Sequence, residues 1–281
     1  MTGAELHAHT TASDGSFSPL EAVDYALTLG LEALAITDHD TMAGVVEAEV
    51  QADGRPIEIV PGVEISCEYE GAPVHLLGYW ADLGARRLAT ELANIRESRR
   101  TRVPIMVERL HALGHNVTVE RVMHFAKGGN PGRPHVAEAL VEAGVIRTIS
   151  DAFTPDLIGT GGRAYAPKYA LRPDIAVEMV RESGGVPVLA HPGLFRGAKP
   201  IPKALVDSMV DAGLAGIEAN HIDHTEEQGA AFTKMASDLG LIATAGSDCH
   251  GTLYDPVRMG TCRASMEVVE ALKKQKQASS S

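Results

Sequence analysis

Short apolar runs recur along the chain, each followed by a polar loop and then by a segment of helical period. They fall at residues 4–6, 33–36, 57–60, 63–69, 74–79, 186–190, 216–219 and 241–245. Runs of this length between turn residues read as buried strands. Their alternation with helical patterns predicts βα units and a parallel sheet. Helix starts are marked chemically. Ser18-Pro19-Leu20-Glu21 offers an N-cap, a proline at the first helical position and an acid three residues on, and that helix ends near Gly30. A short helix is predicted at 45–50. Thr225-Glu226-Glu227-Gln228 is a second capping box, before a helix ending at Gly240. The polar tail from Lys273 to Ser281 reads as frayed.

The pattern changes between residues 88 and 145. This stretch reads as helical, with breaks at Pro104, at Gly114 and at 128–132, and no strand interrupts it. Removing an insertion of about 70 residues leaves about 210, fewer than the roughly 250 typical of an eight-stranded barrel. About seven core strands remain, so a sevenfold α/β barrel is predicted. Residues 1–85 and 165–281 form the barrel and 86–164 the helical insertion.

Composition narrows the class. Hydrophobic residues at 44% and charged residues at 22% are globular values, which exclude a disordered chain, collagen and a coiled coil. No apolar run approaches the roughly 18 residues of a membrane helix. The first residues carry neither a basic segment nor an apolar one, and the cysteine count is odd (three), so a reducing, cytoplasmic setting is expected. A net charge of −12 argues against a protein that coats nucleic acid or binds duplex DNA. The acidity is uneven: residues 86–133 carry +6 and the remainder −18, which predicts a basic element on an acidic body.

The chemistry clusters where the runs end. His7 and His9 follow the first, with Asp14 in the loop beyond. Asp38, His39 and Asp40 follow the second. Glu64 follows residues 59–63, His191 follows 186–190, and Asp248 and His250 follow 242–245, while His75 lies inside its strand. In a parallel barrel the strand C-termini meet on one face, which carries the active site. The His-x-His spacing places two imidazoles on one side of a strand. Singly, these pieces have bland readings: Thr37–Asp40 as a helix-start turn, His191-Pro192 as a turn, His75 as a core histidine. Jointly they read as a metal centre. Even nine of these groups exceed the four ligands of one tetrahedral ion, so two or three divalent ions with a bridging carboxylate are expected. Imidazole with carboxylate suits manganese, iron, zinc or magnesium, manganese being favoured. His111, His115 and His124 read as surface residues, and Cys67, Cys249 and Cys262 as structural.

As a set, Leu6–Gly15, Ala35–Asp40, Pro61–Ser66, His75–Tyr79, Leu189–Gly193 and Gly246–Gly251 resemble the polymerase-and-histidinol-phosphatase (PHP) family of metal-dependent phosphoesterases. The resemblance implies a distorted (β/α)7 barrel. It implies one ion held by His7, His9, Glu64 and Asp248, a second by Glu64, His75 and His191, and a third by Asp14, His39 and His250. Within the family the chain is similar to the 3′,5′-nucleotide bisphosphatases and related 5′-to-3′ exoribonucleases. From that likeness Arg133, His135 and Lys168 are expected to meet substrate, with His224 placed nearby. A hydroxide bridging the metals, held by Glu64, His9 and His191, would attack phosphorus, and no separate general base is assigned. The expected activity is hydrolysis of nucleoside 3′,5′-bisphosphates by a monomer. A main activity on short 5′-phosphorylated oligonucleotides and a histidinol-phosphate phosphatase are the alternatives.

Overall fold

A computed structural model describes residues 2–195 and 199–279. Seven strands form one sheet in chain order: β1 (Ala4–Glu5), β2 (Ala33–Ile36), β3 (Glu58–Tyr69), β4 (Ala72–Tyr79), β5 (Val186–Leu189), β6 (Gly216–His221) and β7 (Ile242–Gly246). Beyond the ends of β1 and β7 a parallel bridge joins Ala8 to Cys249, so the barrel is nearly closed. The helices on its outside are α1 (Pro19–Thr28), α2 (Val45–Ala52), α6 (Pro173–Glu182), α7 (Lys203–Ala212), α8 (Glu226–Asp238) and α9 (Met266–Ser279). Both predicted capping boxes form, Ser18 accepting from the Glu21 amide and Thr225 from that of Gln228.

The expected all-parallel sheet is corrected at one strand. β4 runs antiparallel to both β3 and β5, while the other pairings are parallel. The cause is local. Glu70 and Gly71 both take positive φ (49° and 77°), the geometry of a two-residue hairpin turn, and so short a link cannot make a parallel crossover. The two runs expected at 57–60 and 63–69 are one strand. Pro61 and Gly62 mark where β3 changes partner, residues 58–61 pairing with β2 and 62–69 with β4. Glu64 therefore sits inside its strand rather than after it.

The chain between β4 and α6 is helical, as expected: α3 (Arg86–Ala112), α4 (Val119–Phe125), α5 (Arg133–Glu142) and a 3-10 turn at Ile149–Ala152. The break expected at Pro104 does not occur. Pro104 lies on the exposed side of α3, where water can satisfy the carbonyl its missing N–H leaves free. The two halves of α3 serve different cores. Leu88, Leu92 and Ile95 join the barrel's apolar cluster, whereas Val103, Met106 and Leu110 pack with Val122, Val136, Leu140 and Ile158 in a separate one. The tail is not frayed from Lys273 onward. α9 buries Val269 and Leu272, and Lys273 Nζ lies 2.7 Å from Glu58 Oε2. Ser280 and Ser281 lie outside the described residues.

Candidate active site

Past β1 the chain remains pinned between two neighbours. The Ala8 amide donates to Thr37 Oγ1 (3.0 Å) and the Thr37 amide to the Ala8 carbonyl (2.9 Å). On the other side the His9 amide donates to the Cys249 carbonyl (2.8 Å) and the Cys249 amide to that of His7 (3.1 Å). Alternation along these segments sends Ala8 and Cys249 into an apolar cluster and turns their neighbours His7, His9, Asp248 and His250 the other way. His75 reaches the same rim because β4 is reversed: its carbonyl accepts from the amide of Ala190, the residue before His191.

Glu64 is the hub. Its Oε1 lies 3.4 Å from His7 Nε2, 2.8 Å from His75 Nδ1 and 3.0 Å from His191 Nε2. Its Oε2 lies 3.3 Å from His9 Nε2 and 2.7 Å from His39 Nδ1. Asp248 Oδ1 is 3.0 Å from His9 Nε2 and 3.5 Å from His7 Nε2. Asp14 Oδ1 is 3.4 Å from His250 Nε2 and 4.0 Å from His9 Nδ1, and Asp14 Oδ2 is 3.7 Å from His39 Nε2.

Three sets of ligand atoms lie mutually within 4.8 Å: His7, His9, Glu64 and Asp248; His9, Asp14, His39 and His250; and His39, Glu64 and His75. The first is the set expected for one ion. His9 joins the Asp14 set through its second ring nitrogen. His39 stands with Glu64 and His75, and His191 is beside Glu64 but outside that trio.

These residues fit divalent ions. Bonds of about 2.1 Å in a tetrahedral shell put neighbouring ligand atoms about 3.4 Å apart, and the His7 and His9 contacts to Glu64 and Asp248 have that spacing. Buried polar atoms normally find partners, yet among the described residues His7 Nε2, both His9 nitrogens, Asp14 Oδ1, His39 Nδ1, Glu64 Oε2, His75 Nδ1 and Asp248 Oδ1 make no well-aligned hydrogen bond, close as some of them lie. The charges agree. Burial works against a charged His7, yet Glu218, Glu64 and Asp248 outweigh it and hold its pKa well above the usual value. Burial likewise opposes ionised Glu64, and the imidazoles of His75, His39 and His7 hold it well below the usual carboxylate range.

Supporting carboxylates surround the ligands. Glu218 Oε1 accepts from His7 Nδ1 (3.0 Å), which leaves the Nε2 lone pair for the cluster, and Glu218 Oε2 accepts the His191 amide (2.8 Å). Asp38 accepts from the Thr10 amide and hydroxyl and from Ser13 Oγ (2.7, 2.7 and 2.6 Å), fixing the loop that carries Asp14. Asp40 accepts from the Ser66 amide (2.7 Å) and from Arg99 Nε (2.8 Å). The two aspartates flanking His39 are thus anchors, and α2 is capped by Gly44 rather than Asp40. Asp40, His191 and Asp248 adopt positive φ (56°, 26° and 48°), a conformation costing about 1–3 kcal/mol each outside glycine and concentrated here at the rim.

A cavity of about 140 Å³ opens beside the cluster, between barrel and insertion. Asp14, His39, His75 and His250 form one wall, and Arg99, Arg102, Arg133 and Lys168 face it. Arg99 is paired with Asp40. Among the described residues no carboxylate lies within ion-pair distance of Arg102, Arg133 or Lys168. Lys168 Nζ is buried and makes no hydrogen bond. Burial, then the Arg99 charge, holds the pKa of Lys168 well below its usual value. Arg133 stacks over Phe153 and Tyr165 (5.3 and 5.7 Å from the ring centres). A second cavity, of about 210 Å³, has a more apolar wall, including Val74, Leu189, Pro192 and Ile201 next to His75 and His191.

The remaining expected residues fall differently. His135 Nδ1 accepts the Gly132 amide at the start of α5 (2.9 Å), close to Asp14. His224 has both ring nitrogens engaged with backbone. Its Nε2 accepts the Gly193 amide (3.1 Å), so Nδ1 carries the proton given to the Ala219 carbonyl (2.9 Å). It braces the turn after His191. Sequence reasoning missed Glu218, Arg99 and Arg102. Glu218 left a signal as an acid within the apolar stretch at 216–219, and Arg99 and Arg102 only as members of the basic stretch 86–133, with nothing to single them out.

The fold and this site define a metal-dependent phosphoesterase. The profile of the PHP domain matches residues 5–141. The chain is 33% identical over 248 residues to the 5′-3′ exoribonuclease Rnm of Salmonella typhimurium, covering 88% of this chain and 84% of that protein. It is 32% identical over 253 residues to a 3′,5′-nucleoside bisphosphate phosphatase of Chromobacterium violaceum, covering 89% and 88%. A solved structure from Bifidobacterium adolescentis, described as a metal-dependent phosphoesterase, superposes with a TM-score of 0.91 at 33% identity over 98% of this chain and 96% of that one. The chain belongs to the PHP-domain family of metal-dependent phosphoesterases.

Proposed function

We propose that the protein is a 5′-to-3′ exoribonuclease-type phosphoesterase, which cleaves the phosphorus–O3′ bond beside a 5′-phosphorylated terminal nucleotide. Nucleoside 3′,5′-bisphosphates would be its shortest substrates, since they offer the same bond next to the same 5′-phosphate. One observation carries this reading: Arg102, Arg133 and Lys168 share a cavity with the candidate metal ligands Asp14, His39, His75 and His250. A phosphate neutralising those cations would hold its neighbouring phosphoester against the cluster. The names of the relatives support the exoribonuclease as the main activity and the bisphosphatase, which the sequence alone favoured, as the secondary one.

The nine side chains His7, His9, Asp14, His39, Glu64, His75, His191, Asp248 and His250 would hold two or three divalent ions. Such ions supply an activated water and neutralise charge on the phosphoryl oxygens. The protein's own part is positioning. Arg133, which lies over the rings of Phe153 and Tyr165 and donates through Nη1 to the Ile158 carbonyl and Thr160 Oγ1, would turn the rest of its guanidinium to one phosphate. Arg99, fixed by Asp40 and Ser66, orients the wall behind it. The apolar cavity beside His75 and His191 suits the flat face of a base. We assign residues 86–164 the role of substrate-binding subdomain, since they bring α3 and Arg133 to the rim.

The test is nucleotide release, with manganese added, from matched oligoribonucleotides ending in a 5′-phosphate or a 5′-hydroxyl. A preference for the phosphorylated end of at least about 30-fold is expected, equivalent to roughly 2 kcal/mol of charge-assisted contacts. Equal rates on the two ends, or faster turnover of histidinol phosphate, would overturn the reading.

A further inference from the structure

The insertion meets the barrel at a second, separate cleft of about 360 Å³. It lies between the amino end of α2, the exposed flank of α3 and the loop Lys127–Asn130, shares no lining residue with the cavities of about 140 and 210 Å³, and touches the small pocket beside Asp14 and His135 only through Thr11 and Lys127. Three cations line it, Arg96, Arg100 and Lys127, against one acid, Glu47. Arg96 is fixed by donating to the Asp40 carbonyl (2.7 Å). Arg100 and Lys127 are exposed, and among the described residues neither forms an ion pair. The amino end of α2 opens here with Gly44 as cap and no side-chain oxygen on its amides, which adds positive potential.

The second observation is an acceptor. Asn130 is 4% exposed. Its Nδ2 donates to the His39 carbonyl (3.0 Å), which fixes the amide plane, and its Oδ1 is buried with no hydrogen-bond partner among the described residues. An acceptor in need of a donor, beside three cations in need of an anion, is the complement of a hydroxyl next to a phosphate. DNA backbone has the phosphate without the hydroxyl.

We propose that this cleft binds the ribose-phosphate backbone of single-stranded RNA. Arg96, Arg100 and Lys127 neutralise phosphate, and Asn130 Oδ1 accepts a 2′-hydroxyl. Its place as the seat of the substrate's trailing chain rests on the exoribonuclease reading above, whereas the binding itself does not. Asn130 and Arg96 also brace the loop carrying His39 and Asp40, so RNA in the cleft would sit on the outer side of that loop.

The experiment uses the metal-loaded enzyme and the double variant Arg100→Ala/Lys127→Ala, whose changes are on the surface and outside the active-site cavity. Binding of a fluorescent octaribonucleotide with a 5′-hydroxyl end is followed by anisotropy across a salt series, so that the readout needs no cleavage. Wild type should bind this RNA more tightly than the same sequence as DNA. The double variant should bind it about tenfold more weakly, with a log K against log salt slope shallower by about 1.4 for two lost phosphate contacts on a single strand. Turnover of adenosine 3′,5′-bisphosphate should not change. A charge reversal, Arg100→Glu/Lys127→Glu, should weaken RNA binding further. Wild-type affinity and slope in both variants, or equal binding of RNA and DNA by wild type, would overturn the proposal. Variant-sensitive RNA binding without any exonucleolytic cleavage would uphold the cleft and remove the exoribonuclease reading alone.

Discussion

His7 and His191 owe their orientation to a residue outside the sets of candidate ligands. Glu218 accepts the His7 Nδ1 proton and the His191 amide, so it sets the tautomer of one ring and the backbone carrying the other. Outer partners of metal-bound histidines are worth about 10–100-fold in metal affinity or activity. Glu218→Gln is therefore expected to lower metal affinity in that range while keeping the fold, as measured by metal titration and far-ultraviolet circular dichroism. Unchanged affinity would count against the arrangement. Arg133 gives a second expectation. Arg133→Ala should cut kcat/KM on a 5′-phosphorylated dinucleotide by about 100-fold, the loss of about 3 kcal/mol of charge-assisted bonding. A small aryl phosphate, which lacks the second phosphate, should lose less than about fivefold; equal losses on both would make the role structural. At this scale the metal cluster was legible because imidazole and carboxylate in unlike strand ends have no ordinary structural use together. Arg99 and Arg102 were not. An arginine on a helix reads as solvated until tertiary packing turns it inward, and both are 4% exposed.

Elements fix where these residues meet, and here the sequence was legible in strand number and less so in direction. The hairpin turn at Glu70-Gly71 reversed β4, and that reversal is what lets His75, four residues inside a strand, reach the C-terminal rim of its neighbours. Hydrophobic periodicity carries no sign, so it cannot tell a reversed strand from a parallel one. α5 offers the pH expectation at this scale. Glu138 is half-buried on its inner flank. Burial, partly relieved by Lys127 and reinforced by Asp14, pushes its pKa from an ordinary 4.5 up to about 7. Between those values the folded protein keeps a proton that the unfolded chain releases, so this group's contribution to stability falls as pH rises through the window. Glu138→Gln should have a higher Tm than the wild type at pH 8 and match it at pH 4.5. A difference that does not change with pH would refute the placement of that carboxyl.

At the scale of the molecule, the barrel and insertion meet across the rim, and both the phosphate cavity and the candidate RNA cleft lie along that seam. The uneven charge was legible: the basic stretch supplies Arg99, Arg102 and Arg133 to one cavity and Arg96, Arg100 and Lys127 to the other. That it would split between two cavities was not, because helix phase decides which side each arginine takes and Pro104 hid the length of α3. Among the described residues no helix is long and apolar enough to cross a membrane. The orphaned atoms of the rim also make stability depend on ions. A chelator should lower Tm, since ligand binding to the native state alone stabilises by about 4 kcal/mol at a thousandfold excess over Kd. A melting curve indifferent to chelation would contradict the metal reading.

One ring carries a consequence of its own. His9 faces Glu64 and Asp248 through Nε2 and Asp14 through Nδ1, and a neutral imidazole has one lone pair and one N–H to divide between those two sides. With the lone pair on Nε2 for an ion held with Glu64 and Asp248, the proton would stay on Nδ1, on the side of Asp14, so that carboxylate would steady the ring as Glu218 steadies His7. His9→Ala should therefore lower the metal content of the purified protein, and Asp14→Asn should weaken binding on the Glu64 side as well; full metal content in His9→Ala, read by elemental analysis, would contradict the assignment.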